Sequence, residues 1–305
     1  MADQLSFGLA STRGRSSHLR RFASRLLVWL ADWSMALPLL IVSALMLVAP
    51  MVAMFAGSFI DGNGQMSLVN WSDTLGSVAS QRAIGNSLLL GVTVATITLI
   101  IGGPLSWQVS RMLRLGRAFS LGLLNVAANF SGIGLGFAFV AALGTYGMVT
   151  LAMQALGLPF SPVSQSSFWG MVIAYEYGNI PLFVLLSLPA MSLLRDEWWE
   201  AAQTASATRW QFWRHIGLPI LMPLMLADWL LIFTWSVGMY GLPLALVGSA
   251  PRAFRLITVE MGQSMVGSLF GVNHVPVYAV ILMVIATITL LAYRLIVRRA
   301  MQWLV

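Results

Sequence analysis

The sequence predicts an all-α integral membrane protein with six transmembrane helices, and three observations lead to this prediction. Of 305 residues, 58% are hydrophobic and only 9% are charged, whereas soluble domains carry about 25% charged residues. The apolar residues form six windows of the length at which a helix crosses a bilayer. The arginines cluster at some of the connections between these windows and avoid others. Together these features exclude a soluble globular fold.

The six windows lie at about 35–59, 84–109, 118–146, 168–192, 221–247 and 275–297. Each holds about 20 or more predominantly apolar residues, which is enough to span the hydrocarbon core as a helix. The polar segment before the first window resembles the start of a signal peptide, but the apolar run behind it is too long for one. We therefore expect residues 1–30 to be an uncleaved cytoplasmic tail and residues 31–305 to form one six-span domain.

Orientation follows from the arginines, since cytoplasmic loops carry an excess of basic residues. The chain has 17 basic residues and all are arginine. The tail, the turn at 111–117, the segment 195–220 and the C-terminal end hold all of them except Arg82, Arg252 and Arg255. Both termini and the segment 195–220 are therefore predicted to be cytoplasmic. The net charge of +7 is then a topology signal, and no nucleic-acid partner is expected.

Composition also excludes several kinds of chemistry. Without any lysine the chain cannot form the phosphate-binding Walker A loop, so it cannot hydrolyse ATP by that route. Without any cysteine it has no disulfide, no thiolate nucleophile and no cysteine-based metal site. His18, His215 and His274 lie far apart and show no ligand spacing. We expect no catalytic residue, no cofactor and no metal in this chain.

The polar segment 195–223 is rich in tryptophan and separates two long apolar windows. Its first half is patterned as a helix, with Asp196 as the expected N-cap and small residues recurring at three- and four-residue spacing. The second half restarts at Thr208, which forms a capping-box pattern with Gln211. Pro219 is expected to end this second helix. The sequence predicts two short helices on the membrane surface with a bend near Ser206.

This segment resembles the EAA loop of the permease subunits of binding-protein-dependent type I ABC importers. The loop pattern is Glu-Ala-Ala, three residues, glycine, nine residues, then Ile-x-Leu-Pro, and this chain keeps every spacing. The matching residues are Glu200, Ala201, Ala202, Ser206, Ile216, Leu218 and Pro219. The one departure is Ser206 at the usual glycine. Since serine disfavours positive φ, the bend is expected to be made differently or more stiffly.

The resemblance implies a coupling role and a set of partners. In such permeases the EAA loop docks on the ATPase, so Glu200, Ala201, Ala202, Ser206, Leu218 and Pro219 are implied to couple this chain to ATP hydrolysis. The implied partners are a cytoplasmic ABC ATPase dimer, a second permease subunit and an extracytoplasmic solute-binding protein. The implied location is a bacterial inner membrane.

A second group of residues is predicted to line the solute pathway. Glu176 lies inside the fourth window, where an ionisable group is costly and is by default a functional candidate. Tyr175, Tyr177 and Asn179 place further polar atoms beside it. The alternative is a carboxyl group hydrogen-bonded within a helix interface. Asp228, early in the fifth window, is also a pathway candidate, although pairing with a neighbouring helix is favoured for it.

Two further patterns have alternative interpretations. Gly132 and Gly136 do not fit a dinucleotide fingerprint and instead favour close packing of membrane helices. The four tryptophans in the coupling segment are typical both of interfacial anchors and of contacts with another protein, and both interpretations stay open. They are Trp198, Trp199, Trp210 and Trp213.

The flanking segments most resemble the spermidine/putrescine permease group, whose relatives import iron(III), thiamine and aminoethylphosphonate. A carboxylate at Glu176 favours a cation such as a polyamine. That group implies a hetero-dimer of two different permease subunits. Two other classes remain as alternatives. An ion-coupled secondary transporter would usually need paired acids or inverted repeats, and a membrane scaffold would require the EAA spacing to be a coincidence.

Overall fold

The computed structural model describes residues 36–158, 164–247, 254–267 and 274–304. Over these residues it is helical, apart from turns and one isolated antiparallel bridge between Ile60 and Met66. The helices are α1 Leu37–Gly57, α2 Val69–Gly76, α3 Val78–Ser110, α4 Arg114–Asn129, α5 Ile133–Leu143, α6 Met148–Ala155, α7 Phe168–Met191, α8 Asp196–Thr204, α9 Arg209–Phe212, α10 Leu218–Gly238, α11 Gly241–Val247, α12 Ile257–Gly267 and α13 Val275–Leu304. A π-helical turn over Trp213–Gly217 joins α9 to α10.

Six helical segments among the described residues are long and apolar enough to cross a membrane, as predicted. They are Leu37–Gly57, Val78–Ser110, Ile133–Ala155, Phe168–Met191, Arg209–Gly238 and Val275–Ala300. The chain divides into two compact units, residues 1–56 and 57–305. The first unit contains nearly all of α1, which consists largely of apolar residues and has Pro50 in its interior. The predicted tail, residues 1–30, lies outside the described residues.

In the second unit, three long helices pack around one core. α3 packs against α7 and α10, and α10 also packs against α13. The largest fully buried side chains of this core include Tyr175 and Phe183 on α7, Leu90 on α3 and Ile232 on α10. Glycines permit the close approach: a Cβ built on Gly102 would lie 2.7 Å from a ring carbon of Phe183. Packing, more than hydrophobic transfer from water, therefore fixes these helices against one another.

The third window is interrupted, which differs from the predicted continuous span over 118–146. α4 ends at Asn129, and the chain turns through Phe130, Ser131 and Gly132 before α5 begins. Gly132 has a φ of 74°, a backbone conformation that stops an α-helix and that glycine adopts without strain. The membrane-spanning segment at this point is Ile133–Ala155, and α4 is a separate amphipathic helix packed on α7.

Close packing through small residues, which we predicted for Gly132 and Gly136, is most direct at Gly136, although the Cα of Gly132 also lies 3.4 Å from a Cβ built on Gly241. A Cβ on Gly136 would lie 2.5 Å from the Cβ of Ala245, where α5 meets α11. Gly132 instead serves as the N-cap of α5, and nothing lies within 4 Å of a Cβ built there. Its role is conformational. The fifth span also ends earlier than the predicted residue 247, because α10 ends at Gly238 and α11 begins at Gly241.

Candidate functional site

The coupling segment, residues 195–220, forms a short helix, the predicted bend at Ser206, and a second helix that runs on into the following membrane helix. α8 covers Asp196–Thr204 and α9 begins at Arg209. Thr208 and Gln211 form the predicted capping box: the Thr208 hydroxyl accepts from the Gln211 N–H at 3.3 Å, and the Gln211 side chain accepts from the Thr208 N–H at 2.8 Å. These reciprocal bonds fix the start of α9 without help from another chain.

The bend is a helix C-terminal motif built around Ser206. The N–H of Ala207 donates to the carbonyl of Ala202 at 2.9 Å, and the N–H of Ser206 donates to the carbonyl of Gln203 at 2.9 Å. This pair of bonds defines a Schellman motif, whose turning residue adopts the left-handed conformation. Ser206 has a φ of 58° and is the only non-glycine residue with positive φ in the described chain. Ser206 therefore adopts the left-handed conformation that glycine favours, at a cost in conformational strain, and the expectation that serine would avoid this conformation by bending differently is wrong.

Two details of the predicted coupling segment are wrong. The N-cap of α8 is Arg195, whose backbone is extended, and Asp196 is the first helical residue. The Asp196 carboxylate instead accepts from the guanidinium of Arg111. Pro219 does not end the second helix, because α9 continues through the π-helical turn into α10 with Pro219 in the first turn of α10. A proline is tolerated there, since the first turn of a helix needs no donor from that residue.

The motif residues are mostly exposed. Glu200, Ala201, Ser206, Leu218 and Pro219 are exposed, and only Ala202 is buried. The exposed face of α8 presents the Glu200 carboxylate beside the small side chain of Ala201. Such a surface is suited to close docking of a second protein.

The coupling segment is anchored to the membrane helices by aromatic side chains. Trp213 packs edge-on against Trp107 of α3, with ring centroids 4.8 Å apart. Trp199 packs edge-on against Phe212 at 5.3 Å, which joins α8 to α9. Trp198 also packs on an apolar cluster formed by the ends of α7 and α10. Trp210, in contrast, is 68% exposed. Three of the four tryptophans thus contribute to anchoring within the chain, and Trp210 leaves its surface open to a lipid or a partner.

Two of the four predicted pathway residues on α7 form hydrogen bonds between helices. Glu176 is buried and accepts a hydrogen bond of 2.8 Å from the hydroxyl of Thr98 on α3. The amide of Asn179 donates to the Ser236 hydroxyl on α10 at 3.1 Å. Tyr175 is buried, and its hydroxyl has no hydrogen-bond partner among the described residues. These contacts join α7 to both of its long neighbours.

The remaining two pathway candidates differ from each other. Asp228 on α10 is buried, and its carboxylate accepts a hydrogen bond of 2.9 Å from the hydroxyl of Ser187 on α7. This contact agrees with the pairing to a neighbouring helix that we favoured for Asp228. Tyr177 is half exposed, and its ring packs edge-on against Phe130 at the interruption of the third window, with centroids 6.3 Å apart. Tyr177 is thus the α7 candidate nearest to the turn between α4 and α5.

A cavity of about 890 Å³ opens beside that turn, between α4, α7 and α10. Its polar lining comes from Asn125, Asn129, Ser131 and Thr234, and Trp235 forms part of its wall. No charged side chain lines it, and none of the five predicted pathway residues does. Solute sites of this size are common in proteins. The sequence signal that could have identified it is the pair Asn125 and Asn129, two amides at helical spacing in an apolar segment.

No protein-family model matches the chain. The chain is similar to the sulfate transport system permease protein CysT of Escherichia coli, with 28% identity over 57% of this chain and 79% of that protein. The CysW protein of the same organism is 25% identical, over 76% and 77% of the two chains. The molybdenum transport system permease protein ModB of Azotobacter vinelandii is 24% identical, over 59% and 78%.

The fold has a counterpart among solved structures. It matches a chain of a bacterial ABC transporter involved in the import of the acidic polysaccharide alginate, with a TM-score of 0.68 and 17% identity, over 90% of this chain and 98% of that chain. Permease subunits of this kind are not enzymes and carry no cofactor, because a separate subunit is the ATPase. The chain is a multi-pass membrane protein and a permease subunit of a binding-protein-dependent ABC importer.

Proposed function

We propose that this chain forms one half of the solute pathway of an ATP-driven importer and that α8 is its coupling helix. The observation that carries the proposal is the coupling segment: its motif spacing is kept, Glu200 and Ala201 are exposed, and the bend is fixed at Ser206. The proposed partners are a cytoplasmic ABC ATPase dimer, a second permease subunit and an extracytoplasmic solute-binding protein. The proposed location is a bacterial inner membrane with both termini cytoplasmic.

The coupling segment is joined to the membrane helices in a way that supports this role. The Arg111 guanidinium ties the start of α8 to the end of α3. The edge-on contact of Trp213 with Trp107 ties the π-helical turn to the same helix. A force applied to α8 and α9 is therefore delivered to α3 and α10, two of the three long helices of the core. Such coupled movement of packed helices is how a docking surface can open or close a pathway.

For the solute we propose a small oxyanion. Named relatives carry sulfate and molybdenum, and a structural neighbour carries an acidic polysaccharide. The cavity beside the turn between α4 and α5 is lined by neutral amides and hydroxyls, with no carboxylate that would repel an anion. Amide and hydroxyl groups can donate hydrogen bonds to anion oxygens.

A polyamine or related cation is the second candidate, and Glu176 supports it. One carboxylate oxygen of Glu176 is buried with no hydrogen-bond partner among the described residues. An acceptor in that state can bind a cationic group. The spermidine/putrescine resemblance of the flanking segments points the same way, as would iron(III), thiamine or aminophosphonate import by its relatives. The hetero-dimeric arrangement of the permease remains part of this proposal.

The test of the coupling proposal is reconstitution of the chain with its co-purifying subunits and measurement of ATPase stimulation by loaded binding protein. We expect Glu200→Arg to weaken ATPase association or to abolish the stimulation, because it reverses the charge on the docking face. Arg294→Glu is the matched control: it reverses an exposed charge on α13, outside the coupling segment. If Glu200→Arg leaves both properties unchanged, or if no ATPase co-purifies, an ion-coupled transporter becomes the better account.

The solute is tested separately by uptake into proteoliposomes of sulfate, molybdate and putrescine. The oxyanion proposal predicts ATP-dependent uptake of sulfate or molybdate and none of putrescine. Uptake of putrescine alone would replace it by the polyamine proposal.

A further inference from the structure

A small pocket lies between the coupling segment and the end of α3. Its volume is about 260 Å³, which leaves room for a group much larger than a water molecule. Three arginines line it, Arg111, Arg195 and Arg209, together with the rings of Trp107, Trp199 and Trp213. The docking residues Glu200 and Ala201 do not line it. We call it the arginine–tryptophan pocket.

Arg111 is held in place on several sides. Its guanidinium donates to the Asp196 carboxylate and, at 3.1 Å, to the Leu194 carbonyl. It also lies over the ring of Trp107, 4.2 Å from the centroid. Two of the five guanidinium N–H donors are thereby used and the others are free to bind a further acceptor. A guanidinium fixed in this way loses little conformational freedom when it binds an anion.

The charges of the pocket do not cancel. Asp196 offsets Arg111, and Glu197 pairs with Arg195 at 2.7 Å. Arg209 lies over the ring of Trp199, 5.9 Å from the centroid, and pairs with no acidic residue in the described part of the chain. The pocket therefore carries one uncompensated positive charge, and its planar guanidinium groups match the geometry of a phosphate.

The position of the pocket indicates the depth at which its ligand lies. Trp107 is in the last turn of the second membrane span, α3, and Arg111 is the first residue after that helix. The pocket thus lies at the end of a helix long enough to cross a membrane, on the side that the arginines predict to be cytoplasmic. Tryptophan rings and arginines are typical of the lipid headgroup region, and anionic headgroups attract basic clusters on the cytoplasmic face.

We infer that the arginine–tryptophan pocket binds a phosphate group, with Arg209 and Arg111 as its ligands and the phosphate of an anionic lipid as the favoured source. Free phosphate carries the same chemistry and is the alternative source. A bound headgroup would bridge α3 to α8 and α9, and so would stabilise the coupling segment against the membrane helices. This inference does not depend on which solute is transported.

The experiment is native mass spectrometry of the full-length chain, with its co-purifying subunits, released from nanodiscs of equimolar phosphatidylcholine and phosphatidylglycerol. The readout is the ratio of phosphatidylglycerol to phosphatidylcholine adducts. Arg209→Gln should lower this ratio by about tenfold, as expected for the loss of one hydrogen bond to a charged group. Arg214→Gln is the matched control, because it removes an equal charge from an exposed residue that does not line the pocket. Arg209→Lys keeps the positive charge but lacks the planar guanidinium group, so it should retain part of the preference for phosphatidylglycerol.

A second arm identifies the source of the phosphate. The same proteins in pure phosphatidylcholine nanodiscs are melted with and without inorganic phosphate. An Arg209-dependent rise in melting temperature, with no lipid preference, supports the site with free phosphate as its ligand. Equal loss of lipid preference in Arg209→Gln and Arg214→Gln, or no Arg209-dependent effect in either arm, overturns the inference. Lipid retained only after the ATPase is removed also overturns it, because the ATPase would then occupy the pocket.

Discussion

Arg111, one residue past the end of α3, donates a hydrogen bond to Asp196, the first residue of α8. The side chain of Asp196 is 75% exposed and that of Arg111 is 34% exposed. Since exposed ion pairs contribute little, Asp196→Asn should lower stability by less than about 1 kcal/mol. Arg111→Ala also removes the bond to Leu194 and the contact with Trp107, so it should cost about 2 kcal/mol.

Thermal melting of both variants in phosphatidylcholine nanodiscs, where no anionic lipid contributes, measures this difference. Equal destabilisation by the two substitutions would mean that the ion pair alone holds α8 to α3. Binding-protein stimulation of the ATPase should fall in the same order as stability, because the same contacts transmit movement between the two helices.

Replacing Ser206 by glycine is expected to raise stability, whereas the substitutions at Arg111 and Asp196 lower it. The left-handed conformation costs an L-residue about 1–2 kcal/mol, which glycine avoids. Ser206→Gly should therefore raise the stability of the bend by about 1 kcal/mol after allowance for the greater freedom of glycine in the unfolded chain. Ala205→Gly, one residue earlier at a φ of −80°, should instead lower it by about 0.5–1 kcal/mol.

Amide hydrogen exchange at Ser206 and Ala207 reports on the bend directly, since both N–H groups donate in the Schellman motif. Slower exchange in Ser206→Gly and faster exchange in Ala205→Gly are expected. If both glycine substitutions speed exchange, Ser206 is not strained in this chain.

The close contact of α5 with α11 leads to a packing prediction. Gly136→Ala places a methyl group 2.5 Å from the Cβ of Ala245, so it should destabilise the protein by about 1–3 kcal/mol through overpacking. Gly134→Ala on the same helix is the control, because nothing lies within 4 Å of a Cβ there. Melting temperatures in detergent compare the two, and equal behaviour would mean that α5 and α11 do not touch as described.

Access of water to the cavity can be tested with single cysteines, because the chain has none of its own. Ser131→Cys lines the cavity and should react readily with a charged, membrane-impermeant methanethiosulfonate. Val126→Cys, on α4 but outside the cavity lining, should react more slowly in the lipid environment, where the reactive thiolate is disfavoured. Bound solute should slow the reaction at Ser131→Cys alone. Equal rates at both positions would argue against a water-filled pathway at this turn.

Glu176 distinguishes a structural from a substrate-binding role. Glutamine can still accept the hydrogen bond from Thr98, so Glu176→Gln should preserve both folding and oxyanion uptake. Thr98→Val removes the donor and leaves the buried carboxyl group without that partner, which should lower stability by about 1–3 kcal/mol. Melting temperature and sulfate uptake, measured on both variants, check this. Loss of putrescine uptake in Glu176→Gln would instead support the cation proposal.

The sequence predicts the number of spans well because the free energy of crossing a membrane depends on the length of an apolar run, which can be read along the chain. It predicts the break at Gly132 poorly, because residues 118–146 are apolar on both sides of one glycine whose φ depends on tertiary context. The bend near Ser206 could be predicted because the capping-box pattern of Thr208 and Gln211 marks the start of the second helix. The cap at Arg195 was missed because Asp196 is used by Arg111, which is 85 residues away in the chain.

In the candidate site, too, features of a continuous segment could be predicted from the sequence, and features that depend on tertiary contacts could not. The coupling residues form a contiguous segment, so a linear pattern could identify them. The cavity is assembled from α4, α7 and α10, and its lining residues are ordinary in composition. Glu176 drew attention as a charge at membrane depth, yet its contact with Thr98 lies between helices that the sequence does not place side by side.

Because no break separates α9 from α10, a movement at one end of this helical segment can be passed on to its other end. Residues Arg209–Gly238 form one continuous helical segment of 30 residues, π-helical over Trp213–Gly217, and at about 1.5 Å per residue it is about 45 Å long. If the segment moves as one body, a tilt of about 10° about the end next to Ser206 would displace its other end by roughly 8 Å. A small rotation of α8, passed on through the fixed bend at Ser206, would then become a larger displacement at the other end of α10.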